Sequence, residues 1–156
     1  MSSKTLYLAS PYGFSKHWNL KLLPDFIAKL ELMGASVWEP FARNSSIDFS
    51  TPGWAKKVAN SNFNDLKQAD GLLAIVNGTP PDEGVMVEIG IAIALGKPTF
   101  LFRDDFRKCT DSDEYPLNLM IFLGIPSDSW NDYYYSSLDE ISCKKKAIYK
   151  WLRNQI

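Results

Sequence analysis

Histidine is almost absent from this chain, with His17 alone, and cysteine occurs only twice, at Cys109 and Cys143. Neither residue type falls at the spacings by which zinc and related ions are held, so no metal site is expected. The two cysteines also exclude a disulfide framework and suit a reducing, cytoplasmic compartment. Excess charge of one sign is lacking: 17 basic residues against 18 acidic ones leave a net charge of −1. Such a chain offers no long-range field for nucleic acid or an anionic membrane surface. No apolar run approaches the length of a membrane span, and the N-terminus lacks a signal-peptide pattern. No glycine-rich loop of the G-x-G-x-x-G or Walker kind is present, so dinucleotide and nucleoside triphosphate binding are disfavoured and no cofactor is expected. A Gly-x-Ser-x-Gly elbow is missing too, which argues against serine hydrolysis.

What is present is ordinary in bulk: 156 residues, 46% hydrophobic and 22% charged. That length predicts one domain over residues 1–156 with a sizeable core. Strand and helix patterns alternate along it. Thr5–Ala9 is a short apolar strand, expected to be central, followed by a Ser10–Ser15 loop. A helix follows to about Met33, capped by Ser15, closed by Gly34 and disturbed by Pro24. Ser36–Glu39 is a second strand ended by Pro40, and residues 40–51 read as a polar loop. Thr51-Pro52 predicts the start of a helix to about Gln68. Gly71–Val76 is a buried strand, residues 83–95 a helix stopped by Gly96, and Pro98–Phe102 a fourth strand. A short helix over 116–122, an edge strand at Tyr133–Tyr135 and a last helix over 138–153 complete the pattern, with Lys144–Lys146 on the solvated face of that helix. Alternation of this kind predicts an α/β fold: a three-layer, doubly wound, five-stranded parallel sheet in the flavodoxin-like order 2-1-3-4-5.

One carboxylate stands out. Glu88 lies in the apolar segment Val85–Ala94 with no basic residue three or four positions away. A structural hydrogen bond or a solvent-facing position would explain it; so would a nucleophile at the carboxyl end of a parallel sheet. Asp65 and Asp82, singly, read as a polar helix face and a helix cap. Together the three carboxylates, with aromatics and amides nearby, suit chemistry on a neutral polyhydroxyl ligand, because paired carboxylates break glycosidic bonds.

These residues resemble a known family, the nucleoside 2-deoxyribosyltransferases. Tyr7-Leu8-Ala9-Ser10-Pro11-Tyr12 looks like its first strand and loop, and Asn64-Asp65-Leu66 like its Asn-Asp-Leu motif. Asp82-x-Gly84-x-x-x-Glu88-Ile89-Gly90 looks like its acidic loop and nucleophile helix, and Asn118-Leu119-Met120 like its late Asn-Leu-Met motif. The resemblance implies that Glu88 takes the deoxyribosyl group as a covalent ester, Tyr7 orients it, and Asp65 exchanges a proton with the base. It implies that Asp82 binds the sugar hydroxyls and that Asn118 arrives from a neighbouring subunit of a homo-oligomer, a dimer or a hexamer built as a trimer of dimers. Ser10, Tyr12, Phe14 and Gly84 would complete the substrate site, with Tyr12, Phe14, Trp38 and Phe41 as candidates to stack on a base. Deoxynucleosides and free nucleobases are the implied partners. Many members end in a tyrosine near the site; this chain ends Asn154-Gln155-Ile156, so that contact is not carried over.

Two other readings compete. A deoxynucleoside 5′-monophosphate N-glycosidase of the same fold would use water as acceptor, but Asp82 would repel its phosphate. A non-catalytic nucleotide-binding module would have no need of Glu88, Asp65 and Asp82 together.

Overall fold

Alternating residues in four short apolar runs face opposite sides of one sheet, and that alternation builds two cores. The computed structural model describes residues 3–156. Its strands are β1 (Thr5–Ala9), β2 (Ser36–Trp38), β3 (Gly71–Ile75), β4 (Thr99–Phe102) and β5 (Tyr134–Tyr135), all parallel and ordered β2-β1-β3-β4-β5. Leu6, Leu8, Leu73, Ile75, Phe100 and Phe102 face one layer of helices, where Phe26, Leu30, Ile148 and Trp151 cover them. Tyr7, Ala9, Leu72, Ala74 and Leu101 face the other, against Leu66, Val85, Ile89, Ala92 and Phe122. The order is the predicted one, but β3 holds the middle place and β1 lies beside it. Gly71 opens β3 where a side chain would press on Trp151 and the Pro98 carbonyl.

The helices are α1 (Lys16–Lys21), α2 (Leu23–Leu32), α3 (Pro40–Arg43), α4 (Trp54–Gln68), α5 (Glu83–Ala94), α6 (Trp130–Tyr133), α7 (Leu138–Ile141) and α8 (Ala147–Leu152). The Ser15 hydroxyl caps α1, and the break before α2 falls at Leu22, with Pro24 in its first turn. Gly34, at φ +95°, turns the chain toward β2 as expected.

Four expectations are corrected. Residues 40–51 are not all loop, because the Glu39 carboxylate caps the short α3 by accepting from the backbone N–H groups of Phe41 and Ala42. Thr51 does not cap α4: its hydroxyl donates to Asp48, and the helix begins after Gly53. The final helix is two, α7 and α8. The Lys144–Lys146 run lies at the break between them, and the Lys146 ammonium donates to the carbonyls of Asn131 and Tyr134. The segment over 116–122 is helical only as a 3-10 turn, Leu119–Phe122.

At the carboxyl edge of the sheet, buried Arg103 ties the loops together. Its guanidinium donates to the carbonyls of Val76, Gly78 and Arg107. The edge where ligands of open α/β sheets bind is thereby held in fixed shape.

Candidate active site

The loop after β3 ends at Asp82, whose carboxylate accepts from the Val85 N–H at 3.0 Å and so caps α5. Glu88 lies in the second turn of that helix and points back to the sheet. There the Tyr7 hydroxyl, on β1, donates to its Oε1 at 2.6 Å. Burial is the main influence on the Glu88 carboxyl and pushes it up to about 7. The Tyr7 hydrogen bond opposes that rise, and the charges of Asp82 and Glu39 add to it. Burial, with the Glu88 charge second, also raises the Tyr7 phenol far above its ordinary value. Tyr7 therefore stays a neutral donor.

Glu88 and Asp82 both line a cavity of about 360 Å³, a size that suits a small ligand. Its walls come from the β1 loop, α3, the following loop and α4. Phe14 and Phe41 meet edge to face at 5.1 Å on one side, and Phe49 and Trp54 meet the same way at 5.1 Å on another. Val58 adds apolar surface, and Ser10, Asn44 and Asn62 supply the other polar side chains. Among the described residues, no lysine or arginine lines it. The lining thus combines two carboxylates with four aromatic rings, which fits a polyol joined to a planar ring.

The expected residues divide into three groups. Glu88, Asp82, Ser10, Phe14 and Gly84 line the cavity, and Tyr7 touches it through Glu88. Asp65 and Tyr12 sit beside it. Both Asp65 oxygens are taken by Arg43, from Nε at 2.8 Å and Nη2 at 2.6 Å, and the guanidinium lies over the Trp38 ring at 4.1 Å. The pair is bidentate, and it fixes the plane of the Asp65 carboxylate. Tyr12 is buried edge-on against Trp18 and Phe26, and its hydroxyl accepts from Asn77. Trp38 supports Arg43 rather than lining the cavity.

Asn118 lies elsewhere. It caps the Leu119–Phe122 turn, donates to Asp111 at 2.7 Å and borders a second, apolar cavity of about 660 Å³ with Met86, Met120 and Leu123.

Arg43, Glu39, Asn44, Asn62, Phe49 and Trp54 were missed as site residues. Some left a signal. Glu39-Pro40 has the form of a helix start, a capping side chain followed by proline. Asn62 sits three residues before Asp65, on the same face of α4.

Among the described residues, no group of histidines, cysteines and carboxylates could hold a metal ion, and no helix is long and apolar enough to cross a membrane.

A family model described as Nucleoside 2-deoxyribosyltransferase matches residues 6–120. A nucleoside deoxyribosyltransferase of Limosilactobacillus fermentum is 28% identical over 137 residues, covering 80% of this chain and 78% of the relative. The solved 2-deoxyribosyltransferase of Bacillus psychrosaccharolyticus shares the fold at a TM-score of 0.68 and 24% identity, over 89% of this chain and 90% of that one. A CMP N-glycosidase of Clostridium botulinum aligns less closely, at a TM-score of 0.51 and 22% identity over 97% of each chain.

Proposed function

The chain belongs to the nucleoside 2-deoxyribosyltransferase family, and we propose that it moves a 2-deoxyribosyl group between nucleobases through an ester on Glu88, with net retention. The observation that carries this reading is the Tyr7–Glu88 hydrogen bond beside a cavity lined by Glu88, Asp82 and four aromatic rings.

In the first half-reaction a Glu88 oxygen attacks the anomeric carbon. The carbon–nitrogen bond breaks through an oxocarbenium-like transition state, its electron pair goes to the base nitrogen, and that base gains a proton. In the second half the incoming base gives up its N–H proton, attacks the same carbon and releases Glu88. Two displacements on opposite faces give retention. Glu88 must be ionised to attack. With its carboxyl pushed up to about 7, an appreciable fraction is ionised at neutral pH. Tyr7 stabilises that fraction without competing for the proton. Asp82 uses one oxygen to cap α5 and has the other for the sugar hydroxyls. Asp65 is the proposed proton carrier to and from the base, and Arg43 fixes its direction. Phe14, Phe41, Phe49 and Trp54 provide the faces on which a base stacks, worth ~1–3 kcal/mol per base.

Asn118 is proposed to serve the site of a neighbouring subunit. Leu119, Met120 and Leu123 beside it are exposed and apolar, the character of a surface covered by a second copy. Light scattering that finds a fully active monomer at micromolar concentration contradicts this.

The N-glycosidase reading requires a 5′-phosphate in the same cavity. The Asp82 and Glu88 carboxylates, and the lack of a lining lysine or arginine among the described residues, disfavour it. The discriminating experiment incubates the enzyme with thymidine and adenine. Deoxyadenosine is the expected product; free deoxyribose without deoxyadenosine contradicts transfer.

A further inference from the structure

Among the described residues, Phe41 alone lines both the candidate active-site cavity, of about 360 Å³, and a neighbouring cavity of about 510 Å³. The neighbouring cavity has an apolar wall from α2, made by Leu23, Pro24, Ile27 and Ala28. The Phe41 side chain is seated closely. A Cβ at Gly13 would overlap its ring. Gly13 lies in the 3-10 turn Pro11–Phe14 and has no positive φ, so its backbone does not call for glycine. What calls for glycine is the Phe41 ring, which fills the space a side chain would take. Phe14 meets the same ring edge to face at 5.1 Å. The Phe41 backbone is held separately, because its N–H donates to the Glu39 carboxylate at 3.0 Å. Ring and backbone thus have different partners, and loss of the ring leaves the α3 backbone anchored.

We propose that Phe41, seated on Gly13, sets the size limit of the nucleobase site, admitting unsubstituted bases and rejecting those whose substituent would have to occupy the place of its ring. The inference rests on the base-exchange reading of the cavity. A bulky substituent aimed at this wall meets a ring that has Gly13 behind it and Phe14 at its edge. The ring cannot retreat without repacking, and forced overpacking of this kind costs about 1–3 kcal/mol. Phe41→Ala removes the one side chain that lines both cavities and joins them. An aryl substituent then reaches the apolar wall of α2 and buries its surface there.

The test is a binding series. Adenines carrying a benzyl group at N6, C2 or C8 are titrated by calorimetry against wild type and Phe41→Ala, and the same bases are offered as acceptors for the deoxyribosyl group of thymidine. For at least one position of attachment the wild type should bind the substituted base about tenfold or more below adenine, and Phe41→Ala should bind it about tenfold or more tighter than wild type does. Unsubstituted adenine should move the other way, about fivefold or more weaker in the variant, because a stacking face is lost. Should Phe41→Ala not fold, Phe41→Leu takes its place, with the same signs expected. Gly13→Ala is the second variant, and it leaves every residue of the cavity lining unchanged. Its methyl group displaces the ring. A ring turned into the cavity takes room from adenine, and one turned away takes a stacking face, so binding weakens in either case. The loss should be about fivefold or more in the wild-type background and under about twofold in the Phe41→Ala background. Substituted adenines that gain nothing from the loss of the ring at any position, or a Gly13→Ala effect as large without the ring as with it, overturn the proposal. A wild type that binds the bases in this order yet transfers no sugar overturns the exchange reading and leaves the size limit standing.

Discussion

Tyr7 on β1 donates a 2.6 Å hydrogen bond to Glu88 on α5, joining the sheet to the helix that carries the proposed nucleophile. It is the one influence on the Glu88 carboxyl that favours its charged form, against burial and the charges of Asp82 and Glu39. Removing it in Tyr7→Phe raises the Glu88 pKa further. Fewer molecules are then ionised at a given acid pH, so the acid limb of the kcat profile moves to higher pH. At pH 6 the loss should be about tenfold to a hundredfold, in line with a hydrogen bond to a charged group. The measurement is kcat against pH for both forms; superimposable profiles contradict the assignment.

Glu88 also makes stability depend on pH in an unusual direction for a carboxylate. Its pKa in the fold is raised from 4.5 to about 7. The unfolded chain therefore binds fewer protons in this window, and the contribution is fully present below pH 4.5. It is lost as pH rises through about 7. At about 1.4 kcal/mol per unit the change amounts to roughly 3 kcal/mol. Glu88→Gln carries no titrating group and should be inactive yet at least as stable as wild type at pH 8, by urea unfolding. The same comparison at pH 4.5 should show little gain. A variant clearly less stable than wild type at pH 8 is inconsistent with this account.

The Arg43–Asp65 pair predicts strong coupling. Arg43→Leu leaves a buried carboxylate without its two donors. Because the Arg43 side chain is 39% exposed, the loss should be roughly 1–3 kcal/mol rather than the larger figure for a fully buried pair. Asp65→Leu alone strands a guanidinium that water can reach, and should cost less. The double variant should recover most of the loss, giving a non-additive cycle. Chemical denaturation of the four proteins measures it, and additive losses contradict a working pair. Transfer should fall in all three variants.

The sheet order was legible because buried parallel strands read as short apolar runs, and Gly71–Ile75 shows this most clearly. Glu88 was legible because it has no local partner in an apolar segment. What stayed hidden depends on contacts between residues far apart in sequence. Arg43 and Asp65 are 22 positions apart, and Asn44 and Asn62 are 18 apart. Their meeting depends on where α3 docks against α4, and periodicity carries no information about that docking. Thr51-Pro52 misled for a local reason: Asp48 captures the hydroxyl that would have capped α4. Tyr12 misled because its position in a loop suggested access, whereas Trp18 and Phe26 enclose its ring.

The covalent step is tested most directly by trapping it. The enzyme is incubated with deoxyadenosine and no acceptor base, quenched with acid, digested, and its peptides weighed. The account predicts the mass of one 2-deoxyribosyl group on the peptide that contains Glu88, lost on adding an acceptor base and absent in Glu88→Gln. A sugar adduct on any other residue, or base exchange at the wild-type rate by Glu88→Gln, contradicts it.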